Sequence, residues 1–275
     1  MSVRSEGFLS EETRRAVPNI RKRHGEWFAL AEELNRFCQE ILMKSIPRME
    51  GRKDEIVYRR ELAASPLYAR CVSGFQGIVI LGERGMYLEA KCISRWILEA
   101  TFILAALGTD TAFVDEYVDQ EKRERDNFAR KFRELSSITS FEPDVIKQMD
   151  EEQRKLTEEL VNVSKRRLST RDIAERGGML GHYLSRYALL SQTVHNGLRD
   201  LDCHYIATAN GDLGNLRWAP GVEQLGDLLS EVSGTLFIAT SRAMMIFGLD
   251  HDGDRKGRFD ALWAHWKSIN ELAGS

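Results

Sequence analysis

Apolar side chains recur along most of the chain at the three- and four-residue spacing of an amphipathic α-helix. No run of residues shows the two-residue alternation of a half-buried strand. The pattern predicts an all-α fold in which the helices assemble as a bundle. The predicted helices cover residues 26–45, 54–64, 65–83, 86–107, 110–135, 140–167, 179–195, 221–249 and 256–272.

Proline, glycine and capping residues set the predicted boundaries between these helices. Pro47 is expected to stop the first helix, because proline restricts the residue before it. Ser65 followed by Pro66 is typical of an N-cap with proline in the first turn, and so predicts a new helix there. Gly197 is the expected C-cap of the helix over 179–195, and residues 209–220 are predicted to form a loop.

The helices over residues 110–135 and 140–167 are rich in charge of both signs. Interleaved acids and bases are typical of a solvated helix that pairs its own charges. We predict that these two helices form a long antiparallel hairpin that projects from the bundle. Residues 110–167 are accordingly the surface on which a protein partner would dock.

Composition indicates a globular protein with a large core. Hydrophobic residues make up 43% of the 275 residues and charged residues 29%, which are ordinary values for a folded chain. We predict a single helical domain over residues 1–275, with its core over 65–205 and with the helices of 10–64 and 221–273 packed on that core. The formal net charge of −3 disfavours a protein that coats nucleic acid by bulk charge.

Cysteine usage and the apolar segments indicate the compartment. The four cysteines form no Cys-x-x-Cys pair, and each lies among apolar neighbours, as buried thiols do in a reducing compartment. The N-terminal residues lack the apolar region of a signal peptide, and the most apolar segments are short or carry Glu99 or Arg242. We therefore expect a cytoplasmic protein with no membrane association.

High-specificity catalytic motifs do not occur in the sequence, whether Gly-x-x-x-x-Gly-Lys-Ser/Thr, Gly-x-Gly-x-x-Gly, Gly-x-Ser-x-Gly or His-Glu-x-x-His. Residues 250–254 resemble the start of a calcium loop. Arg255 stands where that loop needs glycine, and Ala261 stands where it needs glutamate. We predict a helix-to-helix turn there, and neither a cofactor nor a metal.

Two charged residues lie in the most apolar of the predicted helices. Arg95 and Glu99 are one helical turn apart on one stripe and are expected to be at least partly buried. Burying a charge costs on the order of several kcal/mol unless the charge is paired. A second apolar helix carries a matching polar line, with Tyr187, Ser191 and His195 at four-residue intervals. We predict that these five residues meet between the two helices.

The combination of Arg-x-x-x-Glu on one helix and Tyr-x-x-x-Ser-x-x-x-His on another resembles an uncharacterised bacterial family of helical domains. The resemblance covers roughly residues 65–205 and implies that the five residues act as a unit, without implying a reaction. The alternative is a buried structural network, in which Arg95 pairs with Glu99 and His195 donates to a carbonyl. A functional site would instead contain groups with perturbed pKa values.

A second polar group follows, in the segment Arg199-Asp-Leu-Asp-Cys-His204. It resembles the Arg-polar-x-x-x-His motif of HEPN ribonucleases, which are helical bundles that dimerise to place two such motifs across one cleft. The resemblance implies a histidine that acts as the base and an arginine that stabilises the phosphorane, without a metal. Asp200 takes the polar position after the arginine, and Tyr205 is a supporting residue.

The spacing of this motif has low specificity. Residues five apart on an ideal helix point about 140° away from each other, so Arg199 and His204 converge only if the helix breaks. The alternative is an exposed pair at a helix end. Two further arginine–histidine pairs satisfy the same loose pattern, namely Arg176/His182 and Arg258/His265.

The leading functional hypothesis is a metal-independent ribonuclease of the HEPN type in a bacterial defence or toxin role. His195 or His204 would be the general base, and Arg199 or Arg95 would stabilise the phosphorane. Its partners would be an RNA substrate and a second copy of the chain. One alternative is a non-catalytic module that docks a protein partner on the charged helices. Another is a sensor that binds a small molecule or nucleotide in an Arg/Glu/His pocket.

Overall fold

A computed structural model describes residues 2–49, 54–136, 138–161, 163, 167–194, 205–208, 210, 213–216 and 220–273. The fold is an all-α bundle, as the apolar periodicity predicts, with one short β-hairpin. Its helices are α1 (Val3–Glu6), α2 (Glu11–Arg23), α3 (Gly25–Met49), α4 (Glu55–Glu83), α5 (Tyr87–Thr109), α6 (Phe113–Ser136), α7 (Pro143–Glu159), α8 (Thr170–Arg176), α9 (Leu180–His182), α10 (Ala188–Val194), α11 (Leu225–Ile246) and α12 (Gly253–Ala273). A π-helical turn, Tyr183–Tyr187, joins α9 to α10.

Helix α5 lies at the centre of the bundle because it is apolar on almost every face. Helices α4, α8, α10 and α11 all pack on it, and α3 packs on α4 and α11. One continuous hydrophobic core extends from Ile20 on α2 to Ile269 on α12. Of the described helices, α5 alone is long and apolar enough to cross a bilayer by length and composition. Its place in the core accounts for that composition.

A buried polar node joins three helices inside this core. The hydroxyl of Tyr68 on α4 lies 3.3 Å from the Cys38 carbonyl on α3 and 3.2 Å from Thr240 Oγ1 on α11. The Cys38 thiol is 3.2 Å from the same threonine oxygen. All three residues are fully buried. Because buried polar groups are costly without partners, the node fixes how these helices face one another.

Two predicted helix boundaries at prolines are wrong. Helix α3 continues past Pro47 to Met49, and α4 runs without a break through Pro66. Proline removes one helical hydrogen bond, but Pro66 lies on the exposed side of α4. The hydroxyl of Ser65 donates to the Glu61 carbonyl at 3.0 Å, inside the helix, rather than capping a new one. Burial of Ala64 and Tyr68 on the other side holds α4 together across this point.

The charged hairpin forms as predicted from α6 and α7, although α7 ends at Glu159 and not near residue 167. Gln153 Nε2 donates to Asp126 Oδ1 at 2.6 Å, and Arg133 pairs with Asp150 at 3.0 Å, which sets the two helices antiparallel. Helix α7 packs chiefly on α6, so the hairpin stands away from the core.

Two local predictions in the last third of the chain have different outcomes. The prediction of a loop over residues 209–220 is wrong in part, because β2 (Leu213–Leu216) pairs antiparallel with β1 (Tyr205–Ala207). The turn predicted at residues 250–254 is present between α11 and α12. There Arg255 is buried, donates to the Leu249 carbonyl at 2.7 Å and pairs with Asp252 at 3.0 Å.

Candidate functional site

Arg95, Glu99 and Tyr187 form a closed hydrogen-bonded triangle between α5 and the π-helical turn. Arg95 Nη2 donates to Glu99 Oε1 at 3.1 Å and to the Tyr187 hydroxyl at 3.0 Å. The same hydroxyl donates to Glu99 Oε1 at 2.9 Å. The structure thus brings together three of the five residues that the four-residue spacings on two apolar helices predicted to meet.

Aromatic packing positions the tyrosine of this triangle. The rings of Tyr183 and Tyr187 stack with their centroids 5.0 Å apart, and Phe102 of α5 lies 6.0 Å from the Tyr187 ring. Both tyrosines belong to the π-helical turn, which is a rare backbone form that is frequent at functional sites. The turn and the aromatic contacts together direct the Tyr187 hydroxyl at α5.

The triangle is half-buried at the surface of the bundle. The side chain of Arg95 is 15% exposed and that of Glu99 is 35% exposed. Burial alone would lower the pKa of Arg95, but the hydrogen bond to Tyr187 and the charge of Glu99 outweigh it and raise the pKa. Arg95 is therefore a fixed cation, which suits it to bind an anion or to tie two helices together and not to carry a proton.

The other predicted site residues have separate positions. Ser191 lies half-buried on α10 and makes no hydrogen bond to Arg95 or Glu99 in the part of the chain that the structure describes. Tyr205 begins β1 and is about half exposed. The remaining predicted residues, His195, Arg199, Asp200 and His204, lie outside the described residues.

The two other arginine–histidine pairs with the loose HEPN spacing have their arginines bound elsewhere. Arg176 donates through both terminal nitrogens to Glu116 on α6, at 2.7 and 2.9 Å. Arg258 donates to Glu40 on α3 at 2.8 Å. These arginines therefore hold helices together. Among the residues described, no three histidine, cysteine or acidic side chains converge as metal ligands.

A polar cavity lies next to the triangle and was not predicted from the sequence. It has a volume of about 270 Å³ and is lined by Lys91 of α5, Arg186 of the π-helical turn and Glu231 of α11. Burial raises the pKa of Glu231, although the nearby Arg186 and Lys91 act to lower it. Glu231 stands in a mostly apolar helix, just as Arg95 and Glu99 do, and that criterion would have found it.

A second missed feature is an apolar groove on the α6–α7 hairpin, with a volume of about 640 Å³. The hairpin was expected to be a charged, solvated element. It instead leaves large apolar side chains in water, since Phe128 is 70% exposed. Phenylalanines set among charged residues at positions 128 and 132 are the signal that could have found this groove.

These observations define the protein as an all-α helical domain with a half-buried polar cluster on its central helix. The chain belongs to DUF5677, a family of unknown function, whose profile matches residues 61–213, more than half of the chain. The prediction of an uncharacterised helical family is confirmed to that extent. The match includes the triangle and the hairpin, but not α11. Neither a curated protein nor a solved structure matches the chain.

Proposed function

We propose that the protein is a helical interaction module that binds an amphipathic helix of a partner protein in the groove of the α6–α7 hairpin. One observation carries the proposal, namely an open apolar groove between two helices that extend from the core. A groove of this kind is the usual receptor for the apolar face of a helix. Its apolar lining consists of Phe128, Ala129, Phe132, Val145, Met149 and Leu156.

The aromatic residues supply the binding energy in this proposal. Phe128 and Phe132 stack with their centroids 6.2 Å apart, and the Phe128 side chain is largely exposed. Removing apolar surface from water contributes roughly 25 cal/mol per Å². Exposed clusters of large apolar side chains mark interaction sites in soluble proteins. Phe128 is accordingly the expected hot spot of the interface.

The charges at the rim of the groove select the partner. Glu121, Glu124 and Glu152 line it together with one cation, Arg125, so carboxylates outnumber guanidinium groups. A helix with basic flanks complements this rim, because opposite charges steer association and fix the register. A second copy of the chain would place one acidic rim against another. The charge therefore favours a basic partner helix over self-association.

The experiment is a titration of the purified protein with two labelled helical peptides of the same apolar face, followed by fluorescence anisotropy. One peptide carries lysine and arginine on its flanks, and the other carries glutamate and aspartate. We expect the basic peptide to bind and the acidic peptide to bind at least about tenfold more weakly. Phe128→Ala should weaken the basic peptide by at least about tenfold, since it removes the central aromatic side chain.

A matched control is Leu62→Ala, which removes an exposed apolar side chain from α4, outside the groove. It should leave peptide affinity unchanged. Equal affinity for both peptides, or no effect of Phe128→Ala, would overturn the proposal. A homodimer in solution that Phe128→Ala converts to a monomer would also overturn it, because the groove would then bind a second copy of the chain.

A metal-independent ribonuclease is the second candidate. It is favoured by Arg95, a fixed cation held beside Glu99 and Tyr187 at the surface, which suits the stabilisation of a phosphorane. In this proposal the chain acts on RNA as a cytoplasmic homodimer, with the HEPN-like Arg199 and His204 or with His195 as the remaining groups.

The ribonuclease is tested by incubating total RNA with the purified protein in EDTA, beside His195→Ala and His204→Ala made separately. Cleavage by the wild type that is lost in only one of the two variants would support it and identify the base. Intact RNA at high protein concentration would contradict it. Growth arrest on overexpression, relieved by the same substitution, is the corresponding result in cells.

A further inference from the structure

The polar cavity beside the triangle is bounded by α5, by α11 and by the π-helical turn with the adjoining α10. Lys91 comes from α5, one helical turn before Arg95, and Arg186 directly precedes Tyr187 in the π-helical turn. Glu231 comes from α11. The remaining lining is partly apolar and includes Leu189 and Leu190. The cavity therefore combines a charged side with an apolar side.

Among the described residues that line this cavity, the cations Lys91 and Arg186 outnumber the carboxylate of Glu231. Lys91 and Arg186 are both close enough to Glu231 to affect its electrostatics. Arg186 makes no hydrogen bond to another residue within the described ranges. A guanidinium group binds a carboxylate through two parallel N–H···O hydrogen bonds, which suits Arg186 to an acid in the cavity.

We propose that this cavity binds a small organic acid, whose carboxylate pairs with Arg186 and Lys91 and whose aliphatic part packs on Leu189 and Leu190. In the described lining, two cations and one glutamate leave one positive charge, which one carboxylate balances. A phosphate dianion would exceed that charge and would meet the Glu231 carboxylate. The proposal is independent of the docking groove, which lies on other helices.

The size of the cavity limits the ligand. A volume of about 270 Å³ lies just below the range of roughly 300–1,000 Å³ that is typical of pockets for drug-sized ligands, so the cavity suits a small acid. Because part of the lining is apolar, a longer aliphatic chain should bind more tightly than a short one until the cavity is full.

The experiment is a calorimetric titration of the purified full-length protein at constant ionic strength with acetate, butanoate, hexanoate and inorganic phosphate. We expect affinity to rise from acetate to hexanoate and phosphate to bind more weakly than hexanoate. Arg186→Gln should weaken hexanoate by at least about tenfold, because a charge-assisted hydrogen bond is lost. Lys91→Gln is the second variant, and thermal unfolding establishes that each variant is folded.

The matched control is Arg14→Gln, which makes the same charge change on an exposed arginine of α2. It should leave hexanoate affinity unchanged. Tighter binding of phosphate than of hexanoate would overturn the assignment of the ligand class. Absence of binding by all four acids, or hexanoate binding that neither Arg186→Gln nor Lys91→Gln weakens, would overturn the site.

Discussion

Tyr187 holds the polar triangle together, because its hydroxyl accepts a hydrogen bond from Arg95 and donates one to Glu99. We predict that Tyr187→Phe lowers the free energy of unfolding by about 1–2 kcal/mol, since two hydrogen bonds to charged groups are lost at a half-exposed site. The ring contacts with Tyr183 and Phe102 would remain. Urea denaturation monitored by circular dichroism measures the change.

Tyr183→Phe is the matched control for that substitution. Tyr183 stacks on Tyr187, but its hydroxyl makes no hydrogen bond in the described part of the chain. The control should change the free energy of unfolding by no more than about 0.5 kcal/mol. Equal losses in both variants would mean that the ring packing, and not the triangle, carries the effect.

Glu231 should make stability depend on pH. Burial raises its pKa above the ordinary value of 4.5, against the opposing charges of Arg186 and Lys91. From 4.5 up to the raised pKa, the native state keeps a proton that the unfolded chain has lost, so the free energy of unfolding falls as pH rises. Glu231→Gln removes this loss. Denaturation at several pH values should show the free energy of unfolding of the variant rising relative to that of the wild type between pH 4.5 and the raised pKa. A difference in free energy that does not change with pH would contradict the prediction.

At the scale of single residues, the sequence predicts those site residues that stand out within one helix. Arg95 and Glu99 are visible as charges in an apolar helix, and the four-residue line through Tyr187 indicates the facing helix. Glu231 carries the same signal, but nothing in its own helix indicates Lys91 or Arg186. The cavity forms where α5, α11 and the π-helical turn with α10 converge, which depends on long-range packing and not on local periodicity.

Helix α4 contains Pro66 in its interior and continues through it. We predict that Pro66→Ala raises the free energy of unfolding by about 1–3 kcal/mol, because alanine restores a backbone donor and lacks the ring that clashes inside a helix. Pro66 is exposed, so the substitution removes no core contact. Urea denaturation again measures the change. A loss of stability would show instead that a bend at Pro66 is needed for the packing of α4.

The α6–α7 hairpin should open independently of the core. Asp126 is buried between the two helices, where it accepts from Gln153 and pairs with Arg130. We predict that Asp126→Ala speeds amide hydrogen exchange throughout α6 and α7 and leaves the exchange of α5 and α11 unchanged. Local opening of this kind is expected for an element with few contacts to the core. Equal acceleration in α5 would mean that the hairpin and the core unfold as one unit.

The ends of the helices and the short strands are predicted less well from the sequence than the long helices themselves. Periodicity predicts the existence of the long helices, since one face of each is apolar. It places breaks at Pro47 and Pro66 that do not occur. At Pro66, the burial of Ala64 and Tyr68 outweighs one lost hydrogen bond. The β-hairpin of Tyr205–Ala207 and Leu213–Leu216 was missed, because strands this short carry too few residues for a two-residue alternation.

In the whole molecule, the candidate sites draw on two parts of the chain, namely residues 61–213 and α11. The hairpin groove and the triangle lie within residues 61–213, the region that the family profile matches. The polar cavity also needs α11, which lies outside that region and provides a wall of the core. The proposed docking groove therefore lies wholly inside the matched region, whereas the proposed acid site takes one wall from outside it.

The buried thiols report on unfolding of the whole molecule. Burial raises the pKa of Cys38 to about 11 and that of Cys71 to about 12, so neither forms a reactive thiolate in the native state near pH 8. Both lie in the core between α3, α4 and α5. In a Cys92→Ser/Cys203→Ser background, only these two thiols remain. We predict that they react with a thiol reagent only through global unfolding.

The measurement is the labelling rate at increasing urea. If opening is global, the logarithm of the rate rises with the slope of the equilibrium unfolding transition. Tyr68→Phe, which breaks the polar node around Cys38, should speed labelling about tenfold, as expected for a loss of about 1.4 kcal/mol. Rapid labelling that does not depend on urea would mean that α3 or α4 separates from α5 locally, and the node would then not be what holds these helices together.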